Sequence, residues 1–232
     1  MMMDKILQQS YLNEQETSSW VGALTLRRFE VGKISLPTGW ICALDPLTLL
    51  GGQEPFAMSV APGEYGVHLS IAQINIDQRV AFAMIQFSNE VARRWKMALA
   101  SGQDDCELNE GEIYGYGVDS GTGCFMDKTA VEILRREYDR DARYYERIVK
   151  EMERTYVDTW SYANMALSDE CNLVAFTSGL GDGVYASYFG FGRTTDPVCL
   201  VTDFGIAHPS DEGETELAQE KQPGKWWQIW RK

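Results

Sequence analysis

Histidine is scarce: the chain has two, His68 and His208, and neither sits in a metal-ligand motif. That argues against a structural zinc site. The five cysteines, Cys42, Cys106, Cys124, Cys171 and Cys199, are odd in number and form no CxxC or CxH pair. Such a set reads as free, mostly buried thiols in a reducing compartment. Long apolar runs are missing too. No stretch approaches the ~18 residues of a membrane span, and the start, MMMDKILQQSYLNEQE, has no apolar core of signal length. Basic residues are in deficit, 21 against 34 acidic, for a formal charge of −13. Such a surface repels phosphate backbones and favours a more basic protein as partner. The expectation is a soluble, cytoplasmic protein without nucleic-acid or membrane partners and without a cofactor.

What is present is enough apolar material for a core: 44% hydrophobic residues, with 7 Trp and 11 Tyr among the 232. Residues 4–16 predict a short N-terminal helix. From Trp20 the texture becomes short β-rich runs, at 21–31, 40–44, 64–74 and 79–87. Pro37, Pro46, Pro55 and Pro62 fall between these runs, where a missing N–H does no harm. Residues 128–156 predict one long helix, with Val131, Leu134, Tyr138, Tyr145, Ile148, Met152 and Tyr156 at three-and-four spacing. Strand patterns return at 172–177, 184–191 and 198–204. This order predicts an α+β protein, mainly antiparallel sheet with the long helix packed across it. Residues 1–208 form a single domain in this reading, followed at 209–232 by an acidic linker and a tail ending KWWQIWRK. Trp226, Trp227 and Trp230 are costly to leave in water. They are expected to dock on the body, on a second copy to give a homodimer, or on another partner.

The stretch 112–127, EIYGYGVDSGTGCFMD, crowds four glycines around Asp-Ser-Gly-Thr. Its Val118-Asp119-Ser120-Gly121-Thr122 is similar to the active-site turn of aspartic proteases, where two such aspartates share a proton. No second copy exists, and Gly117 stands where a bulky apolar residue is preferred. The structural reading is the stronger. Gly115, Gly117, Gly121 and Gly123 permit positive φ, Asp119 and Ser120 bond their own turn amides, and Asp127 caps the helix. Gly-Asp-Gly at 181–183 predicts a hairpin with a type I′ turn at Asp182-Gly183. Thr202-Asp203-Phe204-Gly205 matches the kinase magnesium triplet but lacks its companions. Asp45, Asp119, Asp127, Asp182 and Asp203 all fall at strand ends or turns. If those ends gather, Asp119 with Asp182 or Asp203 could serve a hydrolase, metal-dependent or not.

Several segments occur in a recognisable order: Leu44-Asp45-Pro46-Leu47, Ala61-Pro62-Gly63-Glu64-Tyr65, Arg79-Val80-Ala81, Arg94-Trp95, Gly117-Val118-Asp119-Ser120-Gly121-Thr122-Gly123, Gly181-Asp182-Gly183-Val184-Tyr185 and Val201-Thr202-Asp203-Phe204. Together they resemble the bacterial domain-of-unknown-function 4241 family, over roughly residues 40–204. The resemblance implies small cytoplasmic accessory proteins, some neutralising toxins, and carries no activity with it. The functional expectation is therefore a binding protein, of the immunity type, that engages a basic partner. Asp104, Asp105 and Glu107 in the acidic 101–112 loop, with the tail tryptophans, are its candidate binding residues; the hydrolase is the alternative.

Overall fold

The computed structural model describes residues 2–49 and 54–210. The chain opens with helix α1 (Met2–Gln8) and a 3-10 turn, Gln9–Tyr11, shorter than the 4–16 helix expected, because Gln15–Ser19 pairs as strand β1. Then come β2 (Gly22–Leu36), β3 (Ile41–Leu44), β4 (Gly63–Ile74), β5 (Asp77–Gln86), β6 (Arg94–Met97), β7 (Tyr116–Val118) and β8 (Thr122–Asp127). Helices α2 (Lys128–Arg140) and α3 (Tyr145–Glu153) follow, and then β9 (Tyr162–Ala166), β10 (Asn172–Thr177), β11 (Gly183–Tyr185), β12 (Ser187–Phe191) and β13 (Pro197–Asp203).

A seven-stranded sheet runs β1-β2-β4-β5-β13-β12-β6, a four-stranded sheet β3-β8-β10-β9, and β11 pairs with β7; every pairing is antiparallel. The two larger sheets face each other across a core that includes Ile34, Leu36, Leu69, Ile85, Phe125, Phe176, Phe189 and Leu200. The outer face of the seven-stranded sheet buries Leu24, Leu26, Phe82, Met84 and Val201 under Ile6 and Leu7 of α1 and Ile206 from the chain's return. The outer face of the four-stranded sheet buries Cys42, Leu44, Cys124, Met126 and Leu173 under α2 and α3. The layers therefore run helix, sheet, sheet, helices, an α+β architecture dominated by antiparallel strands.

β2 shows how sequence parity serves two layers. Leu24 and Leu26 face outward, whereas Ile34 and Leu36, also even-numbered, face the inter-sheet core. A strand alternates faces with period two, so the parity can reverse only at an irregularity. The register shifts between Glu30 and Gly32, and Gly32 takes φ 111°.

The single long helix is not what forms. α2 stops at Arg140, and Asp141 turns to an extended conformation, its Oδ1 accepting from the Arg143 N–H at 3.0 Å. Between Tyr138 and Tyr144 the sequence, DRDAR, offers one small apolar residue, so nothing holds a continuous helix against the sheet there. The break also resets the stripe by one residue. Tyr144 is buried, and Tyr145, expected inside, is 40% exposed.

Two strand assignments are corrected in the same way. Residues 122–127, expected as part of a glycine corner, form the central strand β8, buried along its whole length between β3 and β10. The 179–192 hairpin does not occur. Gly179 and Gly181 take the positive φ values, Gly183 does not, and Ser178 to Asp182 carry the chain from β10 in one sheet to β11 and β12 outside it. Among the described residues no helix is long and apolar enough to cross a membrane. The Trp226, Trp227 and Trp230 tail and most of the acidic linker lie outside the described residues.

Candidate functional site

The sharp turn between β7 and β8 is held by carboxylates from two other segments. Asp45, fully buried, follows β3 because Pro46 ends that strand. Its Oδ2 accepts from the Asp119 and Ser120 N–H groups, each at 2.9 Å. Its Oδ1 accepts from Ser120 Oγ at 2.8 Å and from the Leu47 and Thr48 N–H groups at 2.9 and 3.3 Å. Asp182 Oδ1 accepts from the Gly121 N–H at 2.9 Å, and the Ser178 N–H donates to the Gly121 carbonyl at 3.0 Å. Tyr138 of α2 braces the far side, its hydroxyl donating to the Pro46 carbonyl at 2.8 Å.

Asp119 and Ser120 therefore do not satisfy their own turn. Their amides are donors to Asp45, more than seventy residues earlier in the chain. Of the four glycines that permit positive φ, only Gly121 adopts it, at 65°. Gly123 is a spacing requirement, because a Cβ there would lie 2.8 Å from Tyr116 Oη and 3.1 Å from Phe176 Cε2.

The corner thus gathers Asp45, Asp119 and Asp182, but not the other two aspartates. Asp127 caps α2, accepting from the Thr129 N–H at 2.9 Å and from Thr38 N–H and Oγ1 at 3.0 and 2.7 Å. Asp203 points, like Val201, to the outer side of the seven-stranded sheet. There its Oδ1 accepts from the Gly205 N–H at 2.9 Å and its Oδ2 meets His208 Nε2 at 2.6 Å. Of the carboxylates at the corner, Asp45 is saturated by N–H and O–H donors and Asp182 is engaged. The Asp119 side chain is exposed and makes no hydrogen bond among the described residues. A cleft of about 270 Å³ lies between the corner and α3, walled in part by Ser120, Thr122, Ser161, Thr177, Glu153 and Tyr156. Its polar lining is hydroxyl, with Glu153 the acid.

Burial pushes the Cys42 thiol up to about 12 and Cys199 up to about 11, which disfavours the reactive thiolate. Exposed Cys106 is raised by its hydrogen bond and proximity to Asp104. Asp104, Asp105 and Cys106 place potential ligand atoms within 4.8 Å of one another, all exposed, an arrangement common in acidic loops without an ion. His68 is held down to about 4, by burial first and by Arg28 second.

His208 is different. Its hydrogen bond to Asp203 outweighs burial and raises its pKa above 6.5. A group raised on folding stabilises the fold fully below its unfolded pKa, and that contribution disappears as pH rises through the folded value. The pair pins the chain's return, since the His208 carbonyl accepts from the Trp20 N–H at 2.9 Å and the Gly205 carbonyl from Trp20 Nε1 at 2.8 Å. We expect the melting-temperature gap between the parent and His208→Gln to be widest below pH 6.5 and to shrink as pH rises above it. A gap constant with pH would show that the imidazolium does not contribute.

The molecule is thus a two-sheet antiparallel sandwich sheathed by helices on both outer faces and tied at one corner by inserted carboxylates. The chain belongs to the family described as protein of unknown function (DUF4241), which matches it over residues 34–202. No curated protein and no solved structure matches it. The span includes the Asp45, 117–123 and 181–185 segments that meet at the corner.

Proposed function

We propose that this protein is a cytoplasmic binding protein whose acidic surface captures a more basic protein, with toxin neutralisation as its setting. The observation that carries this reading is how the carboxylates are used. Asp45, Asp127, Asp182 and Asp203 each accept backbone N–H groups that fix a turn or cap. The acids of the 104–112 loop face water on an ordered backbone. Asp104 Oδ1 accepts from the Cys106 N–H at 2.9 Å, and Glu112 Oε2 from Asn109 N–H and Nδ2 at 2.8 and 2.9 Å. Asp104, Asp105, Glu107, Glu110 and Glu112 are all exposed, and Ile113 beside them is 40% exposed, an apolar anchor within an acidic rim. A hydrolase built on Asp119 with Asp182 or Asp203 has less support. Asp182 is engaged by Gly121, and Asp203 lies on another face with His208.

Charge of this kind accelerates encounter more than it holds the complex together. The product of a neighbouring toxin gene is the first partner to test. The triple change Asp104→Asn, Asp105→Asn and Glu107→Gln should slow association about tenfold at low salt, leave dissociation nearly unchanged, and reduce the salt dependence of the on-rate. A partner that proves acidic, or an on-rate indifferent to both salt and the triple change, would overturn the reading.

A further inference from the structure

The cleft of about 270 Å³ at the corner lies where one end of the four-stranded sheet meets α3. Ser120 and Thr122 come from the start of β8, Thr177 from the end of β10, where it pairs with Thr122, and Ser161 from just before β9. Leu47, Val149 and Met152 supply apolar wall, and the exposed Glu153 and Tyr156 complete the lining. Two of the hydroxyls have no proton left to offer. Ser120 Oγ gives its proton to Asp45 Oδ1 at 2.8 Å and Thr122 Oγ1 gives its own to the Ser120 carbonyl at 3.4 Å, so each presents lone pairs only. Ser161 is 5% exposed, and its Oγ makes no hydrogen bond among the described residues. The Glu153 carboxylate also lacks a partner among them. Arg154 beside it is turned to Glu151 at 2.6 Å, and Lys150, one turn back, forms no ion pair with it. Among the described residues no Lys, Arg or His lines the cleft.

Lone pairs, an unpaired carboxylate and apolar walls suit a guest that is all donor at one end and apolar along its stem. We propose that this cleft receives an arginine side chain of the basic partner, which deepens the function proposed above and rests on it for the partner's being a basic protein. A guanidinium carries only donors, five N–H groups in a rigid fork. It can engage Glu153 with two of them while its plane lies on the Tyr156 ring. Its methylene stem then runs along Val149 and Met152. Size points the same way, because about 270 Å³ is below the ~300–1,000 Å³ of drug-sized ligand sites and suits one long side chain. An anion would meet Glu153 and no cation, and a polyol would find two of the hydroxyls without protons. The surroundings are those of a protein interface. Tyr156 is 61% exposed and Leu180 55%, the latter in the turn whose Ser178 N–H holds the Gly121 carbonyl. Glu112 of the acidic loop lies at most about 25 Å of extended chain from Asp119. Loop and cleft are therefore close enough to share one interface of standard size, about 800 Å² per partner.

The probe is Nα-acetyl-arginine amide, with the neutral isostere Nα-acetyl-citrulline amide as control. Each is titrated at constant ionic strength into the full chain and followed by backbone amide chemical shifts. An isolated side chain of this size should bind with a Kd of about 1 mM and move the amides of 120–122 and 153–156. Citrulline amide should bind about fivefold more weakly, and Glu153→Gln should weaken arginine amide by a similar factor. Glu153 is exposed and unpaired, so that variant keeps the fold. Ser161→Ala should weaken binding about threefold at an unchanged melting temperature, since its hydroxyl bonds nothing within the fold. Equal binding of citrulline amide, shifts scattered away from the cleft, or arginine-amide binding indifferent to Glu153→Gln would each overturn the proposal. With a basic partner in hand the readouts separate. The triple change at 104, 105 and 107 slows association, whereas Glu153→Gln should speed dissociation about fivefold. A partner captured through the acidic loop whose dissociation ignores Glu153→Gln would overturn this inference alone. Arginine-selective binding without any protein partner would overturn the wider reading and leave the guanidinium site standing.

Discussion

Replacing Asp45 by alanine should cost about 3–5 kcal/mol of unfolding free energy, the range for removing one partner from a buried charged network. The carboxylate accepts five hydrogen bonds from Asp119, Ser120, Leu47 and Thr48, and its residue is fully buried. Each donor left without an acceptor in a dry site carries its own desolvation cost of about 1–3 kcal/mol, and these overlap rather than add. Asparagine should be a poor substitute. Both Asp45 oxygens face only donors, so whichever position receives the amide NH₂ sets donor against donor. We expect Asp45→Asn to lose about 2–3 kcal/mol. Asp119→Asn is the control, because that side chain is exposed and its contribution to the corner is the backbone N–H. It should stay within about 0.5 kcal/mol of the parent. Urea unfolding midpoints at constant m-value measure all three. If Asp45→Ala and Asp119→Asn unfold together, the corner is not held by Asp45.

The sequence carried most of the sheet but little of its closure. A strand such as β4, where Gly66 and His68 stay partly exposed between buried Val67 and Leu69, announces itself through alternation, and β5, buried on both faces, does so through an apolar run between turn residues. β8 does not, because a strand between two covered faces loses its alternation and Thr-Gly-Cys-Phe-Met-Asp has no period to detect. Short edge strands such as β1, with its Gln-Glu-Thr-Ser-Ser, and β6, with its Arg-Trp-Lys-Met, are polar enough to pass as loops. The helix break was legible in principle: Asp141 favours a turn, and the apolar stripe lapses between Tyr138 and Tyr144. Spacing over the full 128–156 window averaged that lapse away. At the corner, the aspartates were visible as residues with local roles. Their joining was not, since Asp45 and Asp119 are linked only by tertiary packing. The one hint was that Leu44-Asp45-Pro46-Leu47 and Gly117 to Gly123 both fall within the span the family matches.

Gly123→Val should destabilise the protein by about 3 kcal/mol, the upper part of the overpacking range, and so lower its melting temperature by about 6–12 °C for a domain of this size. The cause is not backbone strain, because Gly123 lies in β8 with ordinary strand geometry opposite Phe176. It is that Tyr116 and Phe176 lie where a side chain would be, with 2.8 and 3.1 Å contacts awaiting the first added carbon. Neither ring can retreat easily, since Tyr116 is buried and Phe176 packs against Phe125 and Phe204. Two neighbouring glycines separate this cause from conformational freedom. At Gly121, φ is 65° and the nearest atom to an added carbon is Gly181 Cα at 3.8 Å, so valine there meets strain of about 1–2 kcal/mol and little crowding. At Gly117 nothing lies within 4 Å and φ is not positive, so valine should be tolerated within about 0.5 kcal/mol. The order of loss should therefore be 123, then 121, then 117. A double-mutant cycle tests the contact itself. The Tyr116 hydroxyl is buried with no hydrogen-bond partner among the described residues, so Tyr116→Phe removes the closest clashing atom at little cost. Gly123→Ala should then be better tolerated in the Tyr116→Phe background than in the parent, by more than the ~0.5 kcal/mol scatter of independent sites. Strict additivity of the two changes would show that the Tyr116 hydroxyl is not what excludes a side chain at position 123.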